Sequence, residues 1–270
     1  MNTLSLYSDA GIALVRLNRP ATRNAIDDTL IAELTHTVAT LNQDPELRVV
    51  ILSGEGEAFC AGMDLGYLAR LAQFGEAENR ADSRALLELL LAIRESPLPW
   101  IAAVNGPAIA GGCGLATACD LILADREKAR FGYTETRIGF IPAIVSPLLV
   151  ERVGMTRARD LLLSGRIVSA GTALELGLIN ELADPGAVLA LAGSRAQALA
   201  RQCSRDSLAA TKSLLRRISG LELRSAMELA LEDNVRLRQS ASCKRGVEAF
   251  LAKQELDWRL LDRDPSSPIS

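Results

Sequence analysis

The chain has 270 residues, enough for one large domain or a domain with an appendage, and enough to bury a sizeable core. Hydrophobic residues make up 49% and charged residues 23%, an ordinary globular composition. The net charge is −3 with no basic stripe, which argues against nucleic acid as a principal partner.

Residues 13–18 (ALVRLN) alternate as a strand does, and RPATRNAI follows as a turn. Asp27 or Asp28 is placed to cap a helix reaching about residue 42, with Leu30, Ile31, Leu34, Val38 and Leu41 on one face. Residues 48–52 (RVVIL) read as a buried strand closed by SGEGEAFCAG, and residues 65–73 as a helix. Residues 74–83 are polar and weakly patterned and read as mobile. A helix over 85–94 ends at Pro97 and Pro99. Strands are expected at 100–104, 121–124 and 129–132, and helices at 115–118, 146–153, 157–164 and 169–176. From Gly186 onward nearly everything reads as helix, and the closing DPSSPIS reads as disordered. The chain therefore divides into an α/β part over residues 1–195 and a helical part over residues 196–270.

Five cysteines, Cys60, Cys113, Cys119, Cys203 and Cys243, are scattered with no C-x-x-C, as in a reduced, cytoplasmic protein. No secretory leader is evident, and no apolar run approaches the roughly 18 residues of a membrane span, so no membrane role is expected. The single histidine, His36, lies off the apolar stripe of its helix. That removes Ser-His and Cys-His nucleophilic mechanisms and most zinc sites, and no metal is expected. No G-x-G-x-x-G follows a strand, and there is no P-loop and no G-x-S-x-G elbow.

What remains is backbone chemistry. The stretch VNGPAIAGGCGLATACD puts Gly111, Gly112 and Gly114 where a helix opens, although glycine weakens a helix interior. A helix N-terminus leaves amides unpaired and carries partial positive charge, and glycine lets a ligand oxygen approach them. A second small-residue turn, FCAGMDL (59–65), also follows a strand and precedes a helix. Two amides from two such turns suffice to hold one developing oxyanion. Close helix–strand packing demands the same glycines, and both explanations stand at this point. Cys113, near the same helix start, has no base beside it in sequence and reads as packing.

FCAGMDL, IAAVNGPAIAGGCGLATACDLILAD, ARFGYTETRIGFIP and LLLSGRIVSAGTALELGLINEL together resemble the crotonase (enoyl-CoA hydratase/isomerase) superfamily, in order from RPATRNAI to about residue 185. The resemblance implies a spiral of ββα turns with a C-terminal helical region that mediates trimerisation, as a homotrimer or a dimer of trimers. It implies an acyl-CoA thioester substrate, with coenzyme A as part of that substrate and no prosthetic group. The two oxyanion-hole amides carry over to Met63 and Gly111. Arg23, Ala25, Ala61, Asp64 and Leu65 carry over to the coenzyme A side of the site, although the bare sequence makes Arg23 a turn arginine and Asp64 a helix cap.

Hydratases of the family typically carry two glutamates. The first falls at Gly114 and is absent; the second is Glu135, in FGYTETRIGF. Beside Ile138, Phe140 and Ile141 that carboxyl can be desolvated, which raises its pKa toward a useful value. Without the resemblance, an ion pair with Arg137 or another arginine is the favoured reading of Glu135. Asp120 reads as stabilising the turn into the strand at 121. Three functions follow from the resemblance: hydration of a 2-enoyl-CoA with a branched or carboxylated acyl group, isomerisation of a 3-enoyl-CoA by the single base Glu135, or a non-catalytic acyl-CoA-binding scaffold.

Overall fold

A computed structural model describes residues 2–261. The chain opens with a hairpin, β1 (Leu4–Asp9) antiparallel to β2 (Ile12–Leu17), in register Leu4↔Leu17 to Asp9↔Ile12. Its two-residue turn has Ala10 at φ 48° and Gly11 at φ 79°, the left-handed pair that suits twisted strands. The sequence places no strand before residue 13, because only Leu4 of β1 is fully buried and the edge strand has no apolar alternation to read.

β2 continues through parallel pairings into β3 (Val49–Gly54), β4 (Trp100–Val104), β6 (Leu121–Asp125) and β9 (Glu181–Ala183), making a six-stranded sheet ordered β1-β2-β3-β4-β6-β9. A second sheet joins β5 (Pro107–Ile109), β7 (Arg130–Gly132) and β8 (Val168–Ser169). The chain thus climbs as successive strand, strand, helix turns, the spiral expected. β3 and β4 are buried along their whole length, which fits their unbroken apolar runs.

Helices cover both faces of the large sheet. On one face, Val50, Leu52, Ala102, Val104, Ile122 and Ala124 pack with α1 (Asp28–Gln43), α3 (Glu76–Glu95), α4 (Gly111–Ala118) and α5 (Ser146–Ser164). On the other, Val49, Ile51, Ile101, Ala103 and Leu123 meet α7 (Val188–Gln202) through Val188, Ala192, Ala196 and Ala200. That stripe repeats every four residues, so one helical face of small side chains lies close against the strands.

The caps follow from sequence. Asp27 accepts from the Leu30 amide at 2.9 Å to start α1, whose buried stripe is the one expected. Between α1 and α3 lies α2 (Leu65–Leu71), capped by Asp64. α5 breaks at Gly154 (φ 76°, ψ 163°), in line with two separate helical patterns there. α6 (Ala170–Glu175) is capped by Ser169. The stretch 74–83, read as mobile, is helical over most of its length: α3 begins at Glu76 rather than near residue 85, with the Gly75 amide donating to Glu78 at 2.8 Å. Its first buried residue is Leu86, so the opening turns project outward and carry no apolar period.

The remaining helices are α8 (Arg205–Ile218), α9 (Leu223–Arg238), α10 (Ala241–Leu251) and α11 (Trp258–Leu261). They add few residues to the core. Leu223, Met227, Leu231 and Val235 form an exposed stripe on α9. Among the described residues, no helix is long and apolar enough to cross a membrane. The DPSSPIS expectation lies outside the described residues.

Candidate active site

Hydrogen bonds stitch the two glycine-bearing turns together. Cys60 donates to Pro107 O (3.1 Å) and accepts from the Ile109 amide (2.9 Å), which fixes the 60–64 turn against β5. On its other side, Ala61 donates to Arg23 O (3.0 Å), Ile26 donates to Gly62 O (2.7 Å), and Asp64 donates to Ile26 O (2.8 Å). The turn is therefore held between the 23–26 segment and the strand that leads into α4.

Contact between the turns is direct. A Cβ built on Gly62, whose φ is +94°, would lie 3.0 Å from Ile109 O and 3.3 Å from Ala110 Cβ. On Gly112 it would lie 2.3 Å from Cys60 O, and on Gly111 it would lie 3.0 Å from Ile26 Cδ1. Close packing accounts for Gly62 and Gly112. It also leaves the Met63 and Gly111 amides on neighbouring peptides.

Those amides point outward for a covalent reason. In a trans peptide the N–H is opposed to the preceding C=O. Gly62 O faces Ile26, so the Met63 N–H faces away from it; Ala110 O accepts from the Gly114 amide (3.2 Å) inside α4, so the Gly111 N–H leaves the helix end. Among the described residues, neither amide donates to a protein acceptor. Gly111 adds the partial positive charge of the α4 N-terminus.

Glu135 reaches this place through β7. The Ala110 amide donates to Gly132 O at 2.7 Å, and the Gly132 amide donates to Cys113 Sγ at 3.3 Å, so the end of β7 is clamped to the start of α4. Glu135 then opens a short 3-10 turn, Glu135–Ile138. Its Oε2 is buried and has no hydrogen-bond partner. Desolvation raises its pKa above the ordinary carboxylate value, partly offset by its own backbone amide. Among the described residues it makes no ion pair, so the Arg137 pairing does not form. Ile138, Phe140 and Ile141 are exposed beside it in sequence, giving an apolar rim to the carboxyl group. Gly114 is buried, and a Cβ there would lie 2.5 Å from Val145 Cγ1.

The remaining expected residues divide by environment. Arg23 is exposed at φ 54° and makes no ion pair among the described residues, leaving a free cation beside the Ala61 turn. Ala61 is half-buried and Leu65 is 82% exposed, whereas the Ala25 side chain is buried and its carbonyl accepts from Arg19. Asp64 caps α2 by accepting from Gly66 (2.9 Å) and Tyr67 (3.1 Å), and it pairs with Arg19 at 3.3 Å. Cys113 donates to Ala108 O at 2.9 Å, and burial pushes its thiol pKa well up, in keeping with packing. Asp120 accepts from the Trp100 amide at 2.7 Å and so steadies the turn into β6.

Some of the supporting machinery has no obvious sequence signature. Buried Asn24, at φ 57°, accepts from the Arg19 amide at 2.9 Å and donates to Glu55 O (2.9 Å) and Ala58 O (2.8 Å). Asparagine tolerates the left-handed region, and the RN pair in RPATRNAI is the only hint. Arg19 also pairs with Asp27 at 2.7 Å, joining the α1 and α2 caps. Tyr67 donates to Asp82, tying α2 to the projecting start of α3. A 490 Å³ cavity lies elsewhere, between the end of α3 and helices α8 and α9. Its basic residues Arg94, Lys212, Arg216 and Arg236 are all paired with carboxylates. Among the described residues, no group of three or more metal-ligating side chains occurs.

Comparison with known proteins points the same way. The family model described as enoyl-CoA hydratase/isomerase matches residues 8–260. The chain is 43% identical over 243 residues to a Thermus thermophilus protein that carries an enoyl-CoA hydratase name, covering 90% of this chain and 95% of that one. It is 32% identical over 260 residues to the 2,3-dehydroadipyl-CoA hydratase of Escherichia coli, covering 96% and 99%. Its fold matches the crystal structure of an enoyl-CoA hydratase from Mycobacterium smegmatis with a TM-score of 0.88 and 32% identity, over 95% of this chain and 98% of that one. An enoyl-CoA hydratase from Shewanella pealeana matches with a TM-score of 0.90 and 29% identity, over 95% and 96%.

Proposed function

The chain belongs to the enoyl-CoA hydratase/isomerase family, and on that premise we propose that it hydrates a 2-enoyl-CoA thioester with Glu135 as its acid–base residue. The observation that carries this is the buried, partnerless Oε2 of Glu135, in the 3-10 turn just past a strand clamped to the glycine turn. Glu135 takes a proton from water as the water oxygen bonds to Cβ. The displaced electron pair moves through Cα to the thioester oxygen, and the Met63 and Gly111 amides hold that charge as an enolate. Return of the proton from Glu135 to Cα completes the 3-hydroxyacyl-CoA. Arg23, Ala25, Ala61, Asp64 and Leu65 border the coenzyme A, with Arg23 facing its phosphates.

A branched acyl group suits the apolar rim of Ile138, Phe140 and Ile141, and the carboxylated alternative rests on the dehydroadipyl name of one relative. One observation favours a second reading. Gly114 carries no carboxyl where the resemblance puts the first glutamate, and Val145 fills the space beside it, which leaves Glu135 as the base of this reading. A single base is enough to move a proton from Cα to Cγ of a 3-enoyl-CoA through the same enolate, shifting the double bond into conjugation. The exposed α9 stripe suits a homotrimer or a dimer of trimers, in which it would be covered.

Incubation with crotonyl-CoA, 3-methylglutaconyl-CoA and a 3-enoyl-CoA, followed by mass spectrometry, tests these readings. A mass gain of one water supports hydration. A moved double bond at constant mass supports isomerisation. Binding of coenzyme A esters without turnover overturns both in favour of a non-catalytic scaffold.

A further inference from the structure

Ala110 is a non-glycine residue held at φ 49°, ψ −119°, a conformation that L side chains rarely adopt and that turns normally give to glycine. It stands immediately before Gly111. Its amide is fixed on Gly132 O at 2.7 Å, and its carbonyl accepts from Gly114 at 3.2 Å. The two bonds set both flanking peptides and so dictate where the Gly111 N–H points. Its methyl group faces Gly62, where a built Cβ would lie 3.3 Å from Ala110 Cβ. Gly62 in turn precedes Met63. One small side chain thus sits between the two peptides that carry the candidate amides.

Glycine would reach the same backbone conformation without strain. Packing alone does not explain the alanine, since Ala110 is only half-buried. We infer that Ala110 is a positioning residue: its Cβ is the spacer that sets the gap between the Met63 and Gly111 amides, and its strained backbone is retained for that purpose. The inference rests on the proposal that these amides share one enolate oxygen. It adds which neighbouring atom fixes their separation.

The test compares wild type, Ala110→Gly and Ala110→Ser. Ala110→Gly removes both the spacer and the strain. Its expected signature is a kcat at least about tenfold lower with KM unchanged and Tm no lower than wild type, a split typical of lost preorganisation. Ala110→Ser restores a Cβ and recovers most of kcat. A second readout needs no turnover: acetoacetyl-CoA ionises to an enolate with near-ultraviolet absorbance, whereas butyryl-CoA stays a ground-state thioester. Wild type should hold the enolate, Ala110→Gly should hold clearly less, and both should bind butyryl-CoA equally. Equal enolate capture by both proteins, or a Tm that falls in step with kcat, overturns the spacer role alone. Failure of wild type to hold the enolate overturns the paired-amide reading and the spacer role together.

Discussion

Val145 Cγ1 stands 2.5 Å from the point where a Cβ on Gly114 would lie. The contact is with the tip of a side chain, so a rotamer change can relieve part of it. Gly114→Ala is expected to destabilise the protein by about 1–3 kcal/mol, the usual range for overpacking. A Val145→Ala change in the same chain should recover most of that loss, because the two positions share one space. Urea midpoints for the two single variants and the double variant check this. Additive losses would mean that the positions do not compete.

On the proposed mechanism, turnover depends on Glu135. Glu135→Gln keeps the shape of the side chain and removes its proton chemistry, and kcat is expected to fall by about 10²–10⁴ with ester binding nearly unchanged. The pH dependence follows from the sign of the shift. Desolvation raises the folded pKa, so the ionised base is lost at a higher pH than for an ordinary carboxylate, and the acid limb of kcat/KM should lie above that range. The same shift lowers stability as pH rises from the unfolded to the folded pKa, because only the folded state then resists ionisation. Glu135→Gln should therefore have a higher Tm than wild type at pH 8, with the gain vanishing near pH 4. Parallel Tm curves across that range would remove the desolvation argument.

The strands and turns around this site were legible in the residues themselves, whereas the roles of Met63, Gly111 and Glu135 came only from the resemblance. The apolar runs VVIL and WIAAV could only be buried strands, and glycines after them marked turns that need bare backbone. Which oxygen each glycine must clear was not legible, because Cys60 O meets Gly112 only after β5 is paired. α3 was missed over its first turns because Glu76 to Arg84, apart from the half-buried Asp82, face solvent and give no apolar period. Ala110 was hidden for the opposite reason. Alanine is the best helix former and carries no sign of a positive φ, so its strain is visible only in coordinates. The Glu135–Arg137 alternative was excluded by geometry, since neighbours in sequence need not be neighbours in a 3-10 turn.

Gly112 gives a sharper case than Gly114. Its obstacle is backbone: Cys60 O at 2.3 Å and Cys60 C at 3.0 Å from a built Cβ. No rotamer change moves a carbonyl that already accepts from the Ile109 amide. Gly112→Ala is thus expected to cost more than Gly114→Ala, about 3 kcal/mol or beyond. It should also lower kcat in whatever protein folds, because the α4 start must shift away from the 60–64 turn. Calorimetry and initial rates on the soluble fraction check both parts. A Gly112→Ala protein as stable as Gly114→Ala would show that the two turns are not locked together.

Lys212 ties the helical tail to the α/β core. Its ammonium pairs with Asp120 at 2.8 Å and donates to Ile93 O (3.1 Å) and Leu98 O (2.9 Å), with only 8% of the side chain exposed. Burial lowers its pKa and Asp120 opposes that fall, so the charge depends on its partner. Lys212→Ala leaves a carboxylate and two carbonyls facing a void, and breaking such a pair costs about 3–5 kcal/mol. Asp120→Asn in the Lys212→Ala background should recover part of the loss, because the uncompensated charge goes with it. Lys212 meets Asp120 beyond the C-terminal end of α4, the end opposite its glycine-bearing start, so the folded variant at low temperature should keep the wild-type kcat. Thermal melts of the single and double variants, with rates measured well below Tm, decide the matter. A cost under about 1 kcal/mol would reduce the contact to a surface ion pair, and the link between α8 and the core would have to lie elsewhere.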